Sequence, residues 1–143
     1  MSLKATVEPY YTSGSPVTLA DSAAPSGMHN LSMDGQRKID EEELPGAAYK
    51  SLFDRGNRIK SVSFDVWEPF GTAQAAFSAA HARDDSLPGI CTLKLIISDT
   101  GATTDTYTYS GAALLGVQMV KWLGGTAWFR YSFKCAGYTK TTV

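Results

Sequence analysis

Residues 58–67 read RIKSVSFDVW, and the prediction of the fold starts from this alternating stretch. Apolar and polar side chains alternate along it, which predicts a half-buried β-strand with one face toward the core. The apolar face carries Val62, Phe64 and Val66, and the polar face carries Ser61, Ser63 and Asp65. Pro69 ends the strand, because proline cannot donate a hydrogen bond to a ladder. A sheet therefore forms the centre of the predicted domain.

A helix is predicted directly after this strand. Gly71 or Thr72 is placed to cap it, and residues 73–83 bring small side chains to one face. That face consists of Ala73, Ala76, Phe77 and Ala80. Because it is so small, the helix can lie close to the sheet, with Phe77 as its anchor.

Four further strands are predicted from alternation and from turn signals. They are residues 91–98, 105–109, 112–122 and 126–136. Residues 99–102 form the first turn, Gly111 separates the second strand from the third, and residues 123–125 form a tight turn. In the last strand alternate residues from Ala127 to Cys135 face the core. The tail, residues 137–143, is expected to be mobile.

The first 57 residues give weaker signals and are expected to form irregular strands and loops. Residues 17–19 predict a short edge strand, and residues 21–27 predict a turn-forming cluster. Asp34-Gly35 is a common hairpin signal, so it is expected to join residues 28–33 to residues 36–39. The acidic run at residues 40–43 is expected to be a solvated loop.

Length and composition indicate one domain over residues 1–143, with a strand-helix-meander core at residues 58–136. Hydrophobic residues make up 43% of the 143 residues and charged residues 19%, which is typical of a packed globular chain. The predicted class is α+β, mainly an antiparallel β-sandwich or open barrel with one packed α-helix. The 13 basic residues balance the 14 acidic ones, which argues against binding dominated by nucleic-acid phosphates.

No catalytic motif or cofactor motif occurs, so the expectation is a non-enzymatic protein without a cofactor or a metal. His81 with Asp84 and Asp85 is the best fragment of a metal or acid–base site, although local ion pairs at a helix end explain it better. Cys91 and Cys135 are expected to be buried free thiols, with a bridge as the alternative. The N-terminus lacks the apolar core of a signal peptide, which favours a cytoplasmic origin.

Three residues on the polar side of the sheet are candidates for an interface: Trp67, Trp128 and Arg130. Exposed tryptophan and arginine on a sheet are typical of subunit contacts or of stacking platforms for sugars and bases. The alternative is that a second layer simply covers them. Composition does not separate these interpretations.

The C-terminal part resembles a known class of proteins. The order is a strand ending in residues 67–72, WEPFGT, then an Ala-rich helix, LPG at residues 87–89, CTLKL at residues 91–95, a tyrosine strand and FRYSF at residues 129–133. Over residues 58–136 this order resembles small tail structural proteins of tailed bacteriophages and prophages, of the tail-tube or tail-completion type. The resemblance implies assembly into a ring, commonly of six subunits, without catalysis. It also implies that the polar segment at residues 10–52 orders against a neighbouring subunit.

The leading hypothesis is a virion structural protein that self-associates, for example as a hexameric ring, and contacts other virion proteins. It would reside in the virion, and in the bacterial cytoplasm before assembly, without membrane contact or sequence-specific nucleic-acid binding. The alternative is a monomeric ligand-binding β-sandwich, such as a carbohydrate-binding module that uses Trp67 or Trp128. A metal-dependent enzyme centred on His81 is a third, weaker hypothesis.

Overall fold

One antiparallel sheet and one helix make up the described part of the chain. The computed structural model describes residues 2–21, 28–42, 45–46, 51–98 and 103–143, and for residues 2, 36–42 and 51–59 it describes the backbone alone. The elements are β1 (Ser2–Pro9), β2 (Val17–Asp21), β3 (Met28–Glu42), β4 (Ser51–Pro69), α1 (Ala73–Ser86), β5 (Ile90–Ser98), β6 (Thr104–Leu123), β7 (Thr126–Cys135) and β8 (Thr139–Thr142). No helix in these ranges is long and apolar enough to cross a membrane.

The sheet is open rather than closed. Its strand order is β2-β1-β5-β6-β7-β4-β3, every neighbouring pair is antiparallel, and β8 pairs with β6 beside this path. In the described residues no ladder joins the end strands β2 and β3. The first half of β6 pairs with β5, and beyond Ala113 its second half pairs with β7. The predicted α+β class, an antiparallel sheet with one helix, is confirmed.

The inner face of the sheet carries the core, as the alternation predicted. Val62, Phe64 and Val66 of β4 are buried. The corresponding buried positions of β5 and β7 are Cys91, Leu93, Leu95, Ala127, Phe129, Tyr131, Phe133 and Cys135. The sheet curls around this core. The curl brings β6 close to β3, which lies three positions away in the strand order, and the Tyr109 hydroxyl of β6 donates to Met33 Sδ of β3 at 3.3 Å.

Helix α1 begins at the predicted cap but is anchored differently. Thr72 Oγ1 accepts the Ala75 N–H at 3.2 Å, and Ala76 and Ala80 are buried. The expectation that Phe77 anchors the helix is wrong, because its side chain is 56% exposed. Arg83 holds the helix instead.

The anchoring by Arg83 combines charge and stacking. Its guanidinium forms a two-pronged ion pair with Glu68, donates to the Tyr131 hydroxyl at 3.1 Å, and lies 4.6 Å from the centre of the Phe129 ring. Burial opposes the charge and is the largest single influence, but the hydrogen bonds and charges of Glu68 and Tyr131 together outweigh it and raise the pKa of Arg83. The helix end is thereby fixed to β4 and β7.

In its described residues the N-terminal third contains three strands, β1, β2 and β3, with residues 10–16 outside them. Strand β1 was not predicted, whereas β2 contains the expected edge strand. Asp34-Gly35 is not a hairpin turn: it lies inside β3, where Asp34 pairs with Ser61 and Gly35 with Lys60. Pairing along the long strand β4 outweighs this local turn preference. Of the acidic run, residues 40–42 belong to β3, and Glu43 lies outside the described residues, as does the turn cluster at 22–27.

Two corrections concern the C-terminal half. Gly111 does not end a strand, because β6 continues through it with a positive φ of 69° and an irregular register against β5. The tail is not free, since β8 pairs with β6. The turn between β6 and β7 is as predicted, with positive φ at Gly124 and Gly125. The expected turn at residues 99–102 lies outside the described residues.

Candidate functional site: the outer face of the sheet

The structure places the three predicted interface residues together on the outer face of β4 and β7. Trp67 pairs directly with Trp128, and Asp65 pairs directly with Arg130. Each pair is the centre of a row of side chains that crosses neighbouring strands. The first row is aromatic and the second is ionic.

The aromatic row consists of His29, Trp67, Trp128 and Lys121, from β3, β4, β7 and β6. The rings of His29 and Trp67 stack with centroids 3.6 Å apart and planes 19° apart. Those of Trp67 and Trp128 stack at 4.6 Å and 12°. Lys121 Nζ lies 4.7 Å from the centroid of Trp128 and completes the row as a cation–π contact.

This geometry argues against one interpretation left open by the sequence, that the tryptophans form a stacking platform for sugars or bases. A sugar or a base stacks on a free ring face. Both faces of Trp67 are occupied by His29 and Trp128, and those of Trp128 by Trp67 and Lys121. The contacts of the row thus have the geometry of cross-strand stabilising contacts, and they leave neither ring face of Trp67 open. The Trp67 Nε1 hydrogen is buried within the row and has no hydrogen-bond partner in the described residues.

The ionic row is centred on Asp65, which is only 1% exposed although alternation predicted a polar outer position. Arg130 Nε donates to Oδ1 at 2.9 Å, Arg130 Nη2 to Oδ2 at 3.3 Å, and Asn30 Nδ2 to Oδ2 at 2.9 Å. Burial alone would raise the pKa of Asp65. The bonds from Arg130 and Asn30 and the charge of Arg130 outweigh burial, so the pKa is lowered and the carboxylate stays ionised.

Sequence reasoning missed His29, Asn30 and Lys121 as members of this site. They lie on β3 and β6, and only the strand register brings them beside β4 and β7. Asn30 also has a positive φ of 55°, a conformation that asparagine tolerates better than most residues. A prediction that paired β3 with β4 would have placed His29 opposite Asp65.

The proposed metal fragment is not assembled. His81 is exposed and packs edge-on against Phe77 at 4.6 Å, whereas Asp84 Oδ1 accepts the Val117 N–H at 3.1 Å. In the part of the chain that the structure describes, no three His, Cys, Asp or Glu side chains are grouped as metal ligands would be. The arrangement around His81 therefore gives the enzyme hypothesis no support.

Both cysteines are free and buried, which confirms the prediction of unbridged thiols. Cys91 Sγ donates to the Ala112 carbonyl at 3.6 Å. Burial raises the pKa of both Cys91 and Cys135 to about 11, so neither is a reactive thiolate at neutral pH.

Solved structures of other proteins have a fold similar to that of this chain. The fold is similar to that of structural components of phage-tail-like particles, and the likeness covers nearly the whole chain. One such component is described as "Cryo-EM structure of the anti-feeding prophage (AFP) baseplate, 6-fold symmetrised": the TM-score is 0.62 at 10% identity, over 97% of this chain and 91% of that one.

A second component is described as "Tail of empty GTA particle computed with helical refinement, C6 symmetry". It matches with a TM-score of 0.50 at 16% identity, over 97% of this chain and 95% of that one. No protein-family model and no curated protein matches the chain. The resemblance to tail structural proteins is confirmed at the level of the fold, and it extends beyond residues 58–136 to the N-terminal third.

Proposed function

We propose that this protein is a non-enzymatic structural component of a phage-tail-like particle and that it self-assembles into a ring or tube. The observation that carries the proposal is the fold, which matches components of two six-fold symmetric particles over nearly its full length. Symmetric particles of this kind are built from repeated contacts between copies. A ring of six copies, in contact with other virion proteins, is the arrangement that these likenesses favour.

The open sheet supports this proposal because it leaves complementary edges. Strands β6, β7, β4 and β3 form a continuous section, with the outer edge of β3 at one end. At the other end, the second half of β6 pairs with β7 on one side, and in the described residues no strand covers its other side. Joining β3 of one copy to β6 of the next is a head-to-tail contact that closes into a ring.

The two rows of the outer face have a role in such a ring. The aromatic row runs from His29 on the edge strand β3 to Lys121 on β6, so it spans the whole section. It keeps the four strands in fixed register and presents both edges in a constant geometry. We therefore retain Trp67, Trp128 and Arg130 as interface residues that support the contact between β3 of one copy and β6 of the next.

The extension of β3 and β4 gives a second reason to expect a neighbour. Strand β4 pairs with β7 only from Lys60 onward, whereas residues 51–59 pair with β3 alone. Nine residues of strand reach about 30 Å at roughly 3.3 Å per residue. A two-stranded ribbon by itself is only marginally stable in water. We expect this ribbon to order against an adjacent subunit.

Solution mass across a hundredfold concentration range tests the proposal, with negative-stain microscopy of the largest species. The wild-type protein should grow into a species of defined, ring-sized mass. Met33→Lys should remain monomeric, because Met33 is 46% exposed on the edge strand β3 and a charge on its inner face would be buried by a neighbouring strand.

Ser32→Lys is the matched control, since it places the same charge on the exposed outer face of the same strand and should still assemble. Circular dichroism shows whether each variant folds. A wild-type protein that stays monomeric at every concentration would argue against self-assembly. Rings formed by Met33→Lys would show that β3 does not form the contact between copies.

A further inference from the structure

The free edge of β6 is partly occupied by a side chain of the same molecule. Beyond Leu114, whose N–H donates to the Gly89 carbonyl at 2.8 Å, β6 leaves β5 behind. Further along this side, the Val117 N–H donates to Asp84 Oδ1 at 3.1 Å. A carboxylate from the end of α1 thus takes the place that a carbonyl of an adjacent strand would take.

The surroundings of this contact are open and partly apolar. A cavity of about 320 Å³ lies between the helix and the strand edge, lined by Phe77, Ala80, His81, Val117, Gln118 and Met119. Phe77 is exposed on the helix, and Leu115 and Leu123 are exposed on the same half of β6. An unpaired strand edge beside exposed apolar side chains is the typical geometry for the addition of a strand.

The position of Asp84 needs an explanation that the helix does not give. It lies in the last turn of α1, where the helix dipole disfavours negative charge. Asp85 has the same disadvantage, but among the described residues its side chain makes no contact with β6, whereas Asp84 reaches the free N–H. The hydrogen bond to Val117 is therefore the feature that distinguishes Asp84 from its neighbour.

We propose that Asp84 is an edge guard: it holds the Val117 N–H in the isolated subunit and is displaced when β3 of a second copy adds to β6. This inference rests on the proposed self-assembly through β3 and β6. In the free subunit the guard occupies the donor that an unrelated strand would use, which limits indiscriminate edge-to-edge pairing. The cost is that the correct partner must compete with the carboxylate.

A comparison of Asp84→Ala with Asp85→Ala tests the guard. Both changes remove one negative charge from the same helical turn, so they alter the helix dipole and the net charge equally. Only Asp84→Ala frees the Val117 N–H. We expect Asp84→Ala to lower the concentration of half-assembly about fivefold relative to Asp85→Ala, since a single solvent-exposed hydrogen bond of ordinary net strength is released. Equal assembly of the two variants would overturn the proposal.

Amide hydrogen exchange separates failure of the guard from failure of the proposed assembly. In dilute monomer, the Val117 amide should exchange about fivefold faster in Asp84→Ala than in the wild type. In Asp85→Ala its exchange rate should equal that of the wild type. In wild-type rings the same amide should be protected by the neighbouring strand. If no variant assembles, the proposed function fails, and the edge guard fails with it even if monomer exchange responds. If rings form but Val117 exchanges alike in all monomers, the guard alone is wrong.

Discussion

Strands β4 and β7 have two faces that are stabilised in different ways. On the inner face Phe64, Phe129 and Phe133 are fully buried and stabilised by exclusion of water. On the outer face Trp67, Trp128 and Arg130 remain partly or largely exposed and are held by specific stacking and by an ion pair. We infer from this difference that the inner face determines whether the sheet folds, whereas the outer face determines its exact register and the geometry of its edges.

Truncation of the inner face should have the largest effect on stability. Phe129→Ala removes a ring that packs against Phe70 at 5.4 Å and under the Arg83 guanidinium at 4.6 Å. We expect a loss of about 3–5 kcal/mol in the free energy of unfolding, as for other buried phenylalanines. Urea denaturation followed by circular dichroism measures it.

Ser132→Ala is the control on the opposite face of the same strand, with an expected change within about 0.5 kcal/mol. If the two substitutions had similar costs, the contrast between the faces would be wrong. A large loss for Ser132→Ala alone would indicate that the outer face contributes to folding as much as the core.

Thiol reactivity gives a second measure of the inner face. Because the pKa of Cys91 and that of Cys135 are raised to about 11, the folded protein at pH 8 should react with a thiol reagent about 100-fold more slowly than the unfolded chain. The same shifts make stability fall as pH rises from about 8.5, the pKa of an unfolded thiol, through 11. If a thiol of the folded protein were labelled as fast as in urea, that thiol would be exposed to solvent, and its assignment to the buried inner face would be wrong.

The inner face was the part of the fold that the sequence could predict. Alternation at Val62, Phe64 and Val66 depends only on local spacing, so no knowledge of the partner strand was needed. Strand β3 escaped prediction because Asp34-Gly35 is a strong local turn signal. The strand pairing that overrides this signal joins Asp34 to Ser61 and Gly35 to Lys60, 27 and 25 residues further along the chain, and it is set by tertiary structure. Local patterns do not contain that pairing.

The outer face was predictable only in part, for the same reason. Trp128 and Arg130 lie on one strand at a spacing of two, so the sequence places them on a common face. His29 and Lys121 complete the aromatic row from strands whose register is irregular, with shifts after His29 and after Met119. Such irregularities cannot be counted from the sequence, and each of them moves side chains relative to the partner strand.

The ion pair of the outer face should rank next in its effect. Arg130→Ala leaves Asn30 as the one hydrogen-bond donor to the buried Asp65 carboxylate in the described residues. We therefore expect a loss of about 2 kcal/mol in the free energy of unfolding at pH 7, the scale of hydrogen bonds to a charged group. Because half of the Arg130 side chain is exposed, the loss should be smaller than for Phe129→Ala.

The pH dependence identifies the origin of this loss. The folded-state pKa of Asp65 is lowered, so the ion pair stabilises the fold fully above about pH 4, the value for an unfolded Asp, and is lost as pH falls through the lower folded pKa. The difference between wild type and Arg130→Ala should be constant from pH 7 to 5 and shrink below 4. A difference that persists unchanged at pH 2 would assign the loss to packing instead.

The two tryptophans provide the smallest and sharpest contrast. Trp67→Phe and Trp128→Phe each shorten the same aromatic row, and each removes stacking worth about 0.5–1.5 kcal/mol in comparable pairs. Trp67→Phe also removes an indole N–H that is buried without a partner, and removal of such a group is favourable. We therefore expect Trp67→Phe to cost less than Trp128→Phe, by about 1 kcal/mol, in urea denaturation.

Measuring assembly beside stability for these two variants distinguishes a stabilising row from a surface that contacts a neighbouring copy. If the row exists to fix the register of β4 and β7, stability responds to both substitutions, while assembly follows stability. If Trp128 instead contacts a neighbour directly, Trp128→Phe weakens assembly beyond its effect on the monomer, and Trp67→Phe, enclosed between His29 and Trp128, does not. A lower stability of Trp67→Phe than of Trp128→Phe would mean that the buried N–H has a partner after all, and would place that partner on the outer face.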